Sequence, residues 1–474
     1  MNIGIRTDRE DFFYDLHSLV KSFFPDDDVE IYSENDAARC SKKRDLEIAV
    51  EIPESASRKE TKDALKKDVY ETLKNYTGRE LPWGMLSGIR PTKIPMQMLF
   101  EGASEEECVR HLMEADFVSE KKARLASEIA VRERELLEHV PHGPKDYSLY
   151  VHVPFCPSIC LYCTFSSSPI GKWSGRADEY LLAVRREMLE RKKRMQEEGF
   201  EGGPRTIYIG GGTPTSLEAE QLERLLTDIR EIWDLSDTLE FTVEAGRPDS
   251  FSTDRLRVLK NQGVTRISVN PQTMNDSTLA LIGRKHTSAD TVRAFHMARE
   301  AGFDNINMDI ILGLPGEGEA EVARTLEAVS CLHPESLTVH SLAVKRASAL
   351  TLKIREDRES DENADRGSFR GYSLENSERI MDMAAESAAG MGMHPYYLYR
   401  QKNMRGNLEN TGFAVPGAEC LYNILIMEEL QSIAAFGAAA STKRVYEDGR
   451  IERSISPKDV KTYLERSRIS LSGN

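Results

Sequence analysis

The sequence predicts an α/β fold: a partial (β/α)6 barrel with an N-terminal α+β accessory domain and a C-terminal α+β extension. From about residue 148 onward, short apolar runs alternate with amphipathic helical stretches, six runs in all. This alternation favours a parallel sheet with right-handed crossover connections. Six strand–helix units are fewer than the eight that close a full barrel, so we expect an open, partial one.

The barrel is predicted over residues 146–345. Its candidate strands are short β-type runs at Leu149–Val153, Thr206–Ile209, Leu239–Val243, Arg266–Val269, Asn305–Leu312 and Ser336–His340. Its candidate helices cover about 178–198, 218–233, 253–262, 289–301 and 319–331. In a barrel of parallel strands the ligands lie at the C-terminal strand ends, so the polar residues that follow these strands are the candidates for a site.

The accessory domain is predicted over residues 1–145, where strands and helices do not alternate regularly. Short strands are expected at Val29–Tyr32 and near Leu46–Ile52, and helices over 57–76 and 119–138. Between these helices, residues 81–93 are rich in Gly and Pro. This segment is either a plain turn or, through Arg90 and Lys93, a contact for an anion.

The extension is predicted over residues 346–474, where the βα alternation has stopped. Residues 355–370 are crowded with charge and predict an exposed loop or the start of a helix. The elements expected after them are a helix over 374–389, a strand at His394–Tyr399, an apolar helical segment around 421–430 and a short amphipathic helix over 459–466.

Composition and charge narrow the class of protein. The 474 residues are 40% hydrophobic and 30% charged, which is ordinary for a globular protein and too apolar for a disordered one. The formal net charge of −15 disfavours a general attraction to nucleic acid or to an anionic membrane. The sequence does not begin with the basic and then apolar stretch of a signal peptide, and no run of ~18 apolar residues predicts a transmembrane helix. We therefore expect a cytoplasmic protein with neither membrane nor nucleic acid as partner.

Three of the seven cysteines stand together at the end of the first predicted barrel strand. Cys156, Cys160 and Cys163 are separated by three and then two residues. Three thiolates at this spacing can bind one [4Fe–4S] cluster and leave one iron without a protein ligand. A zinc site would ordinarily have four ligands, and no fourth Cys or His lies at zinc-ligand spacing. Zinc and unrelated thiols are the alternatives to the cluster.

The cysteine motif, with Tyr162 directly before the last cysteine, resembles the signature of the radical S-adenosylmethionine (SAM) superfamily. The resemblance implies a [4Fe–4S] cluster and SAM as cofactors. In that family SAM chelates the open iron and is cleaved to a 5′-deoxyadenosyl radical, which removes hydrogen from an unactivated carbon. The family's fold is also a partial (β/α)6 barrel, in agreement with the strand pattern.

Further residues resemble the family's SAM contacts. The glycine loop at residues 210–215 follows the second strand. A tight turn would also need glycine there. The position of the loop resembles that of the family's glycine motif, which implies that Gly211, Gly212 and Thr213 face SAM. Polar residues at or after later strand ends are each as readily structural. Together Glu244, Gln272, Arg284 and Asp309 resemble the SAM-binding set of the coproporphyrinogen dehydrogenases. Tyr150 and Tyr162 are also expected to bind the cofactors.

These motifs resemble the branch of oxygen-independent coproporphyrinogen III oxidase, and the chain as a whole looks like its HemZ subgroup. The segments that carry the likeness are 150–156, 210–215, 270–275, 309–316, 88–93 and 397–403. The resemblance implies oxidative decarboxylation of the propionates of coproporphyrinogen III to vinyl groups, in haem biosynthesis. It also implies a tetrapyrrole substrate and reduced flavodoxin or ferredoxin as electron donor.

Such a reaction needs cations for the substrate carboxylates and a cover for the flat macrocycle. Cations cluster after the barrel at Lys345, Arg346, Arg400, Lys402 and Arg405, and they are either substrate contacts or solvated surface charges. Tyr396, Tyr397 and Tyr399 either cover the macrocycle or pack on a helix.

One position departs from the oxidase pattern. Two residues after the third cysteine, where that oxidase has a further cysteine, this chain has Phe165, a feature shared with a haem-carrying relative. The alternative function is therefore a haem carrier that keeps the cluster and the SAM site. A radical SAM enzyme for another tetrapyrrole or for RNA is a third hypothesis, and the net charge argues against RNA.

Overall fold

The computed structural model of the chain describes residues 1–25, 27–33, 44–50, 57–345, 348–360, 368–374, 376–401 and 407–472. The N-terminal part begins with a small parallel sheet of three strands in the order β2-β1-β3: β1 (Asn2–Arg6), β2 (Asp28–Tyr32) and β3 (Leu46–Ala49). Its helices are α1 (Phe13–Phe23), α2 (Arg58–Thr77), α3 (Lys93–Phe100), α4 (Glu105–Asp116) and α5 (Glu120–Leu137). The α+β character predicted for this part agrees with these elements.

The barrel strands follow one another in the sheet as they do in the sequence. They are β4 (Tyr147–Val153), β7 (Thr206–Gly211), β8 (Glu240–Gly246), β9 (Arg266–Val269), β10 (Ile306–Leu312) and β11 (Ser336–Ser341), with a two-stranded pair, β5 (Phe155–Cys156) and β6 (Ser168–Pro169), after the first. The helices are α6 (Ala177–Glu197), α7 (Ala219–Ile232), α8 (Thr253–Asn261), α9 (Asp276–Leu281), α10 (Ser288–Glu300) and α11 (Glu319–Leu332). All neighbouring pairs among these six strands are parallel, so the partial (β/α)6 barrel is confirmed.

The C-terminal part extends the barrel sheet at both edges. Its elements are α12 (Ala349–Ser360), β12 (Ser368–Phe369), β13 (Tyr372–Ser373), α13 (Glu378–Gly390), β14 (His394–Tyr399), β15 (Asn410–Ala414), α14 (Leu421–Glu428), β16 (Ser432–Phe436), β17 (Ser441–Val445), β18 (Ile451–Ile455) and α15 (Val460–Ser472). β15 pairs antiparallel with β11, and β16 pairs parallel with β4. Among the described residues the sheet therefore has eleven strands, five more than the barrel alone.

The charged stretch predicted as a loop or helix start, 355–370, begins inside α12 and ends in the β12–β13 hairpin. Residues 361–367 of that stretch lie outside the described residues. In the part of the chain that the structure describes, no helix has both the length and the apolarity needed to span a bilayer.

The two faces of the barrel strands carry different side chains. Successive residues of a strand point to opposite faces. One set packs with the surrounding helices into the large hydrophobic core; in β7 and β8 it is Ile207, Ile209, Phe241 and Val243. The alternate set points inward and is polar or aromatic, as with Tyr208 of β7. A polar interior therefore leads along the strands to the mouth of the barrel.

Candidate active site

The cysteine loop leaves the end of β4 and is tied to the barrel mouth on two sides. The backbone N–H of Leu161 donates to the carbonyl of Ile282 at 2.9 Å, and the N–H of Leu350 at the start of α12 donates to the carbonyl of Leu161 at 2.9 Å. Within the loop, the N–H of Cys163 donates to the carbonyl of Cys160 at 3.1 Å. These bonds hold the loop against the end of α9 and the start of α12.

The three thiols of the loop are free and half-buried. The hydroxyl of Thr213 donates to the Sγ of Cys156 at 3.6 Å, and Nη1 of Arg247 donates to the Sγ of Cys160 at 3.6 Å. Burial raises the pKa of the Cys156 thiol to about 11 and also raises the pKa of Cys163. Because a metal ligand must be a thiolate, binding a cluster here would release protons.

The donor set suits a cluster better than a single ion. Across the described part of the chain, no three or more His, Cys, Asp or Glu side chains are placed to hold one metal ion. The ligands of a tetrahedral zinc converge on one atom at ~2.3 Å. The thiolates of a [4Fe–4S] cluster bind separate irons, so they need not converge. Three half-buried thiols on one loop fit that requirement.

The glycine loop packs closely against its own chain. Gly211 has φ +105°, and a Cβ there would overlap the ring of His152. A Cβ on Gly212 would lie 2.5 Å from the carbonyl oxygen of Phe155. Glycine is therefore required at both positions by the approach of the first barrel strand and the segment after it. The loop brings Thr213 to Cys156, next to the cysteine loop.

Glu244 lies at the end of β8 and faces the barrel interior. The hydroxyl of Tyr208 donates to its Oε1 at 2.5 Å. Burial raises the pKa of Glu244 to about 7, although the bond from Tyr208 acts in the opposite direction. A Cβ on Gly210 would lie 2.8 Å from its Oε2, so the glycine loop also leaves space for this carboxyl group.

Asp309 of β10 belongs to a polar chain across the barrel mouth. Nδ2 of Asn307 donates to its Oδ1 at 2.6 Å, and Nε2 of His340 lies 3.9 Å from its Oδ2. The hydroxyl of Tyr399 is 3.3 Å from Nδ1 of His340. Burial alone would raise the pKa of Asp309, but His340 and the other hydrogen-bond donors hold it below the ordinary value.

Gln272 and Arg284 bring unpaired polar atoms to the same region. Gln272 has φ +67° and bridges to Ile310, and one terminal nitrogen of Arg284 donates to the carbonyl of Asn270 at 2.7 Å. The buried atoms of the described residues that have no hydrogen-bond partner include Oε1 of Gln272, Nε of Arg284 and Oδ1 of Asn270. A ligand with amino, carboxylate and hydroxyl groups can satisfy such atoms, so the residues fit SAM.

The two tyrosines predicted to contact the cofactors lie on different sides of the site. Tyr150 of β4 stacks on Tyr208 and on Tyr422 of α14, with ring centroids 6.2 Å apart in both pairs. Tyr162 packs into the apolar cluster formed at the mouth by α12 and the ends of β10 and β11. Burial raises the pKa of Tyr162 well above its ordinary value, so its hydroxyl stays protonated.

Sequence reasoning missed several polar residues that the fold brings to the site: Tyr208, Arg247, His340 and Tyr422. Tyr208 and His340 alternate with apolar residues in their strands, and that period of two is the signal that could have found them. Arg247 directly follows the end of β8, as functional residues on βα loops often do. Tyr422 lies in a helix distant in sequence, and no local pattern marks it.

The predicted cation cluster does not assemble at the mouth among the described residues. Lys345 is exposed, but Arg400 is buried, donates to the carbonyl of Leu86 and pairs with Asn407. Arg400 is therefore not a solvated surface charge, because its guanidinium is buried against the N-terminal part, and a contact with the substrate stays a prediction. Arg346, Lys402 and Arg405 lie outside the described residues.

The tyrosines of β14 and Phe165 differ in exposure. Tyr396 and Tyr397 are buried, so both pack in the interior, while Tyr399 is half-buried and reaches the mouth. Phe165, two residues after Cys163, is 73% exposed. A bare aromatic ring therefore lies beside the cysteine loop where the oxidase pattern has a cysteine.

Comparisons with known proteins agree with the geometry. Residues 150–329 match the radical SAM superfamily. Over 88% of its length the chain is 38% identical to the oxygen-independent coproporphyrinogen-III oxidase-like protein HemZ of Bacillus subtilis, of which it covers 81%. It is 33% identical to the haem chaperone HemW of the same organism, over 67% of this chain and 75% of that protein. In fold it is similar to coproporphyrinogen III oxidase (HemN) of Escherichia coli, with a TM-score of 0.52 and 23% identity over 72% of this chain and 73% of that one.

Proposed function

Because the chain belongs to the radical SAM superfamily, in the group of oxygen-independent coproporphyrinogen III oxidase-like proteins, we propose that it oxidatively decarboxylates coproporphyrinogen III propionates to vinyl groups. A [4Fe–4S] cluster and SAM are the cofactors of this family. Together they supply a carbon radical able to remove hydrogen from an unactivated carbon. The observation that supports this choice of substrate is the sequence similarity to HemZ. The similarity covers 421 residues, so it includes much of the chain outside the barrel.

The residues proposed to hold the cofactors surround the mouth. Cys156, Cys160 and Cys163 hold the cluster. The SAM contacts form a second set on the strand ends and glycine loop, and we assign them to Tyr150, Tyr162, Gly211, Gly212, Thr213, Glu244, Gln272, Arg284 and Asp309. The unpaired atoms of Gln272 and Arg284 support this assignment, since they lack partners within the protein.

The aromatic and polar side chains that face the barrel interior are consistent with a flat, polar substrate bound next to the cofactors. Tyr399 and His340 lie 3.3 Å apart on neighbouring elements and offer hydrogen bonds to a tetrapyrrole edge. The neighbouring α12 and the β12–β13 hairpin contribute to an apolar cluster along one side of the mouth. We propose reduced flavodoxin or ferredoxin as the electron donor and the cytoplasm as the location.

The test is anaerobic turnover by the reconstituted protein. Coproporphyrinogen III, SAM and a reduced flavodoxin or ferredoxin are supplied, and porphyrin products and 5′-deoxyadenosine are measured. We expect vinyl product in step with 5′-deoxyadenosine. SAM cleavage without any vinyl product would reject this substrate while leaving the family chemistry intact.

A haem carrier is the second candidate, and Phe165 favours it. This residue replaces a cysteine of the oxidase pattern with an exposed apolar ring, which suits contact with a macrocycle or client. The 33% identity to the haem chaperone HemW supports the same alternative. Stable haem binding, measured by visible absorbance, without turnover of coproporphyrinogen III would select the carrier.

The cluster ligands are tested by replacing Cys160 with Ala. Two thiolates hold a [4Fe–4S] cluster poorly, so the broad visible absorbance, the iron and sulfide content and SAM cleavage should all fall to background. The matched control is Cys331→Ala, which removes an exposed thiol of α11 and should change none of them. Cluster absorbance retained in the Cys160 variant would contradict the assignment.

A further inference from the structure

Arg247 is a buried cation directly beside the cysteine loop. It follows β8, is only 4% exposed, and its Nη1 donates to the carbonyl of Ser158 at 3.0 Å and to the Sγ of Cys160 at 3.6 Å. The other side of the guanidinium is held by Asp249, whose two carboxylate oxygens accept from Nε at 2.8 Å and from Nη2 at 2.7 Å. Asp249 therefore fixes the plane in which Arg247 faces the sulfur.

Two other titratable groups, Arg284 and His286, lie near this pair. Asp249 keeps its negative charge, because its pKa lies below the ordinary value despite burial, with Arg247 as the main lowering partner. His286 lies 3.9 Å from Asp249, and burial lowers its pKa to about 4, so it is uncharged at neutral pH. Arg247 is thus the cation that contacts a proposed cluster ligand directly, and Asp249 is its counter-charge.

Reduction of a cluster adds one negative charge to the site. A fixed cation at hydrogen-bond distance from a ligating sulfur stabilises the reduced state more than the oxidised state, and burial limits the screening by solvent. Hydrogen bonds and charges around the ligands are among the means by which proteins set cluster potentials. The contact between Arg247 and Cys160 has the geometry for this effect.

We propose that Arg247, oriented by Asp249, is a positioning residue that raises the reduction potential of the cluster. This inference rests on the cluster ligation proposed above and not on the identity of the substrate. The two residues have opposite expected effects. Loss of the cation in Arg247→Gln lowers the potential, whereas Asp249→Asn removes the counter-charge, keeps an acceptor for Arg247, and raises the potential. A purely mechanical support for the loop would not produce opposite signs.

The experiment is an anaerobic redox titration of the reconstituted full chain, with the reduced cluster followed by electron paramagnetic resonance, alongside iron and sulfide analysis. In Arg247→Gln the equilibrium constant for one-electron reduction should fall at least tenfold, which lowers the potential by about 59 mV or more. In Asp249→Asn it should rise. The matched control is Arg257→Gln, which removes a cation that is 67% exposed and pairs with Asp254 on α8, and it should match the unaltered protein.

Three results would overturn the proposal: equal potentials for Arg247→Gln and the control, a fall in potential in both Arg247→Gln and Asp249→Asn, or an unchanged potential in Asp249→Asn. If Arg247→Gln does not retain its cluster, Arg247→Lys, which keeps the charge, and Asp249→Asn decide the question. The proposal is then supported if the reduction potential rises in Asp249→Asn and stays near that of the unaltered protein in Arg247→Lys. Failure of the unaltered protein to bind any cluster would instead reject the ligation.

Discussion

At the level of single residues, the site is built from alternate positions of strands whose other positions are buried in apolar packing. In β8, Val243 packs with the helices while the next residue, Glu244, faces the interior. In β10, Met308 likewise packs in the hydrophobic core, and the next residue, Asp309, faces the interior. A shift of one residue in either strand would bury the carboxylate in the hydrophobic core, so the register and the site are specified together.

The first prediction concerns these two carboxylates. Glu244→Ala or Asp309→Ala should weaken SAM binding about tenfold, ~1.4 kcal/mol, because each removes one hydrogen-bonding group from the mouth. Cluster iron should stay near normal, since neither side chain contacts a cysteine in the structure. Binding is measured by equilibrium titration of the reconstituted protein. Equal loss of iron and of SAM affinity would mean that these residues support the fold instead.

The second prediction is a pH dependence. Because burial raises the pKa of Glu244 to about 7, the folded chain retains this proton where the unfolded chain, with a pKa of ~4.3, has lost it. The resulting stability is complete below ~4.3 and is lost as the pH rises through about 7. Gln cannot ionise, so the Glu244→Gln variant does not lose this stability as the pH rises. The Tm of the cofactor-free variant should therefore gain on the Tm of the unaltered protein when the pH is raised from about 5.5 to about 8. Glu220→Gln, at an exposed position, is the control. A difference independent of pH would contradict the burial of this charge.

At the level of elements, α14 closes the barrel from within. Its N-terminus points at Glu240 of β8, whose carboxylate accepts from the N–H of Leu421 at 2.7 Å and from the Sγ of Cys420 at 3.3 Å. An acidic group at a helix N-terminus is favourable because the first N–H groups lack partners in the helix. The ring of Tyr422 then stacks on Tyr208 at 4.6 Å, which places α14 directly beneath Glu244.

The third prediction tests this contact between elements. Tyr422→Ala should destabilise the protein by about 3–5 kcal/mol, because it removes a buried ring and leaves a cavity beside Tyr208. The measurement is the Tm of the cofactor-free protein. Tyr14→Ala removes a ring that is 66% exposed, and its effect should stay within ~0.5 kcal/mol. Similar losses of Tm in both variants would show that the stack contributes little.

At the level of the whole molecule, the N-terminal part is joined to the barrel through a buried carboxylate. Glu409, next to β15, accepts from Nζ of Lys122 at 2.5 Å and from Nε1 of Trp83 at 2.8 Å. All three side chains are almost fully buried. Since β15 pairs with β11, this contact connects α5 to the barrel sheet itself. The boundaries at residues 145 and 345 remain predictions.

The fourth prediction is that Lys122→Met lowers stability by about 3–5 kcal/mol, since it leaves the Glu409 charge buried without its partner. The double variant Lys122→Met with Glu409→Gln should recover most of that loss, because it removes the unpaired charge while the amide oxygen of the Gln still accepts from Nε1 of Trp83. Both are measured by Tm on the cofactor-free protein. Equal losses in the single and the double variant would place the cause in packing rather than in charge.

The sequence by itself determined the barrel, the cluster motif and the family, because periodicity, turn residues and cysteine spacing are local properties of the chain. It did not determine which distant groups complete the site. Arg247 reaches Cys160, Tyr422 reaches Tyr208, and Arg400 is buried against Leu86. These contacts join residues far apart in the chain, and no local pattern encodes them. Only the tertiary structure decided them, because burial and the pairing of charges depend on which elements pack together.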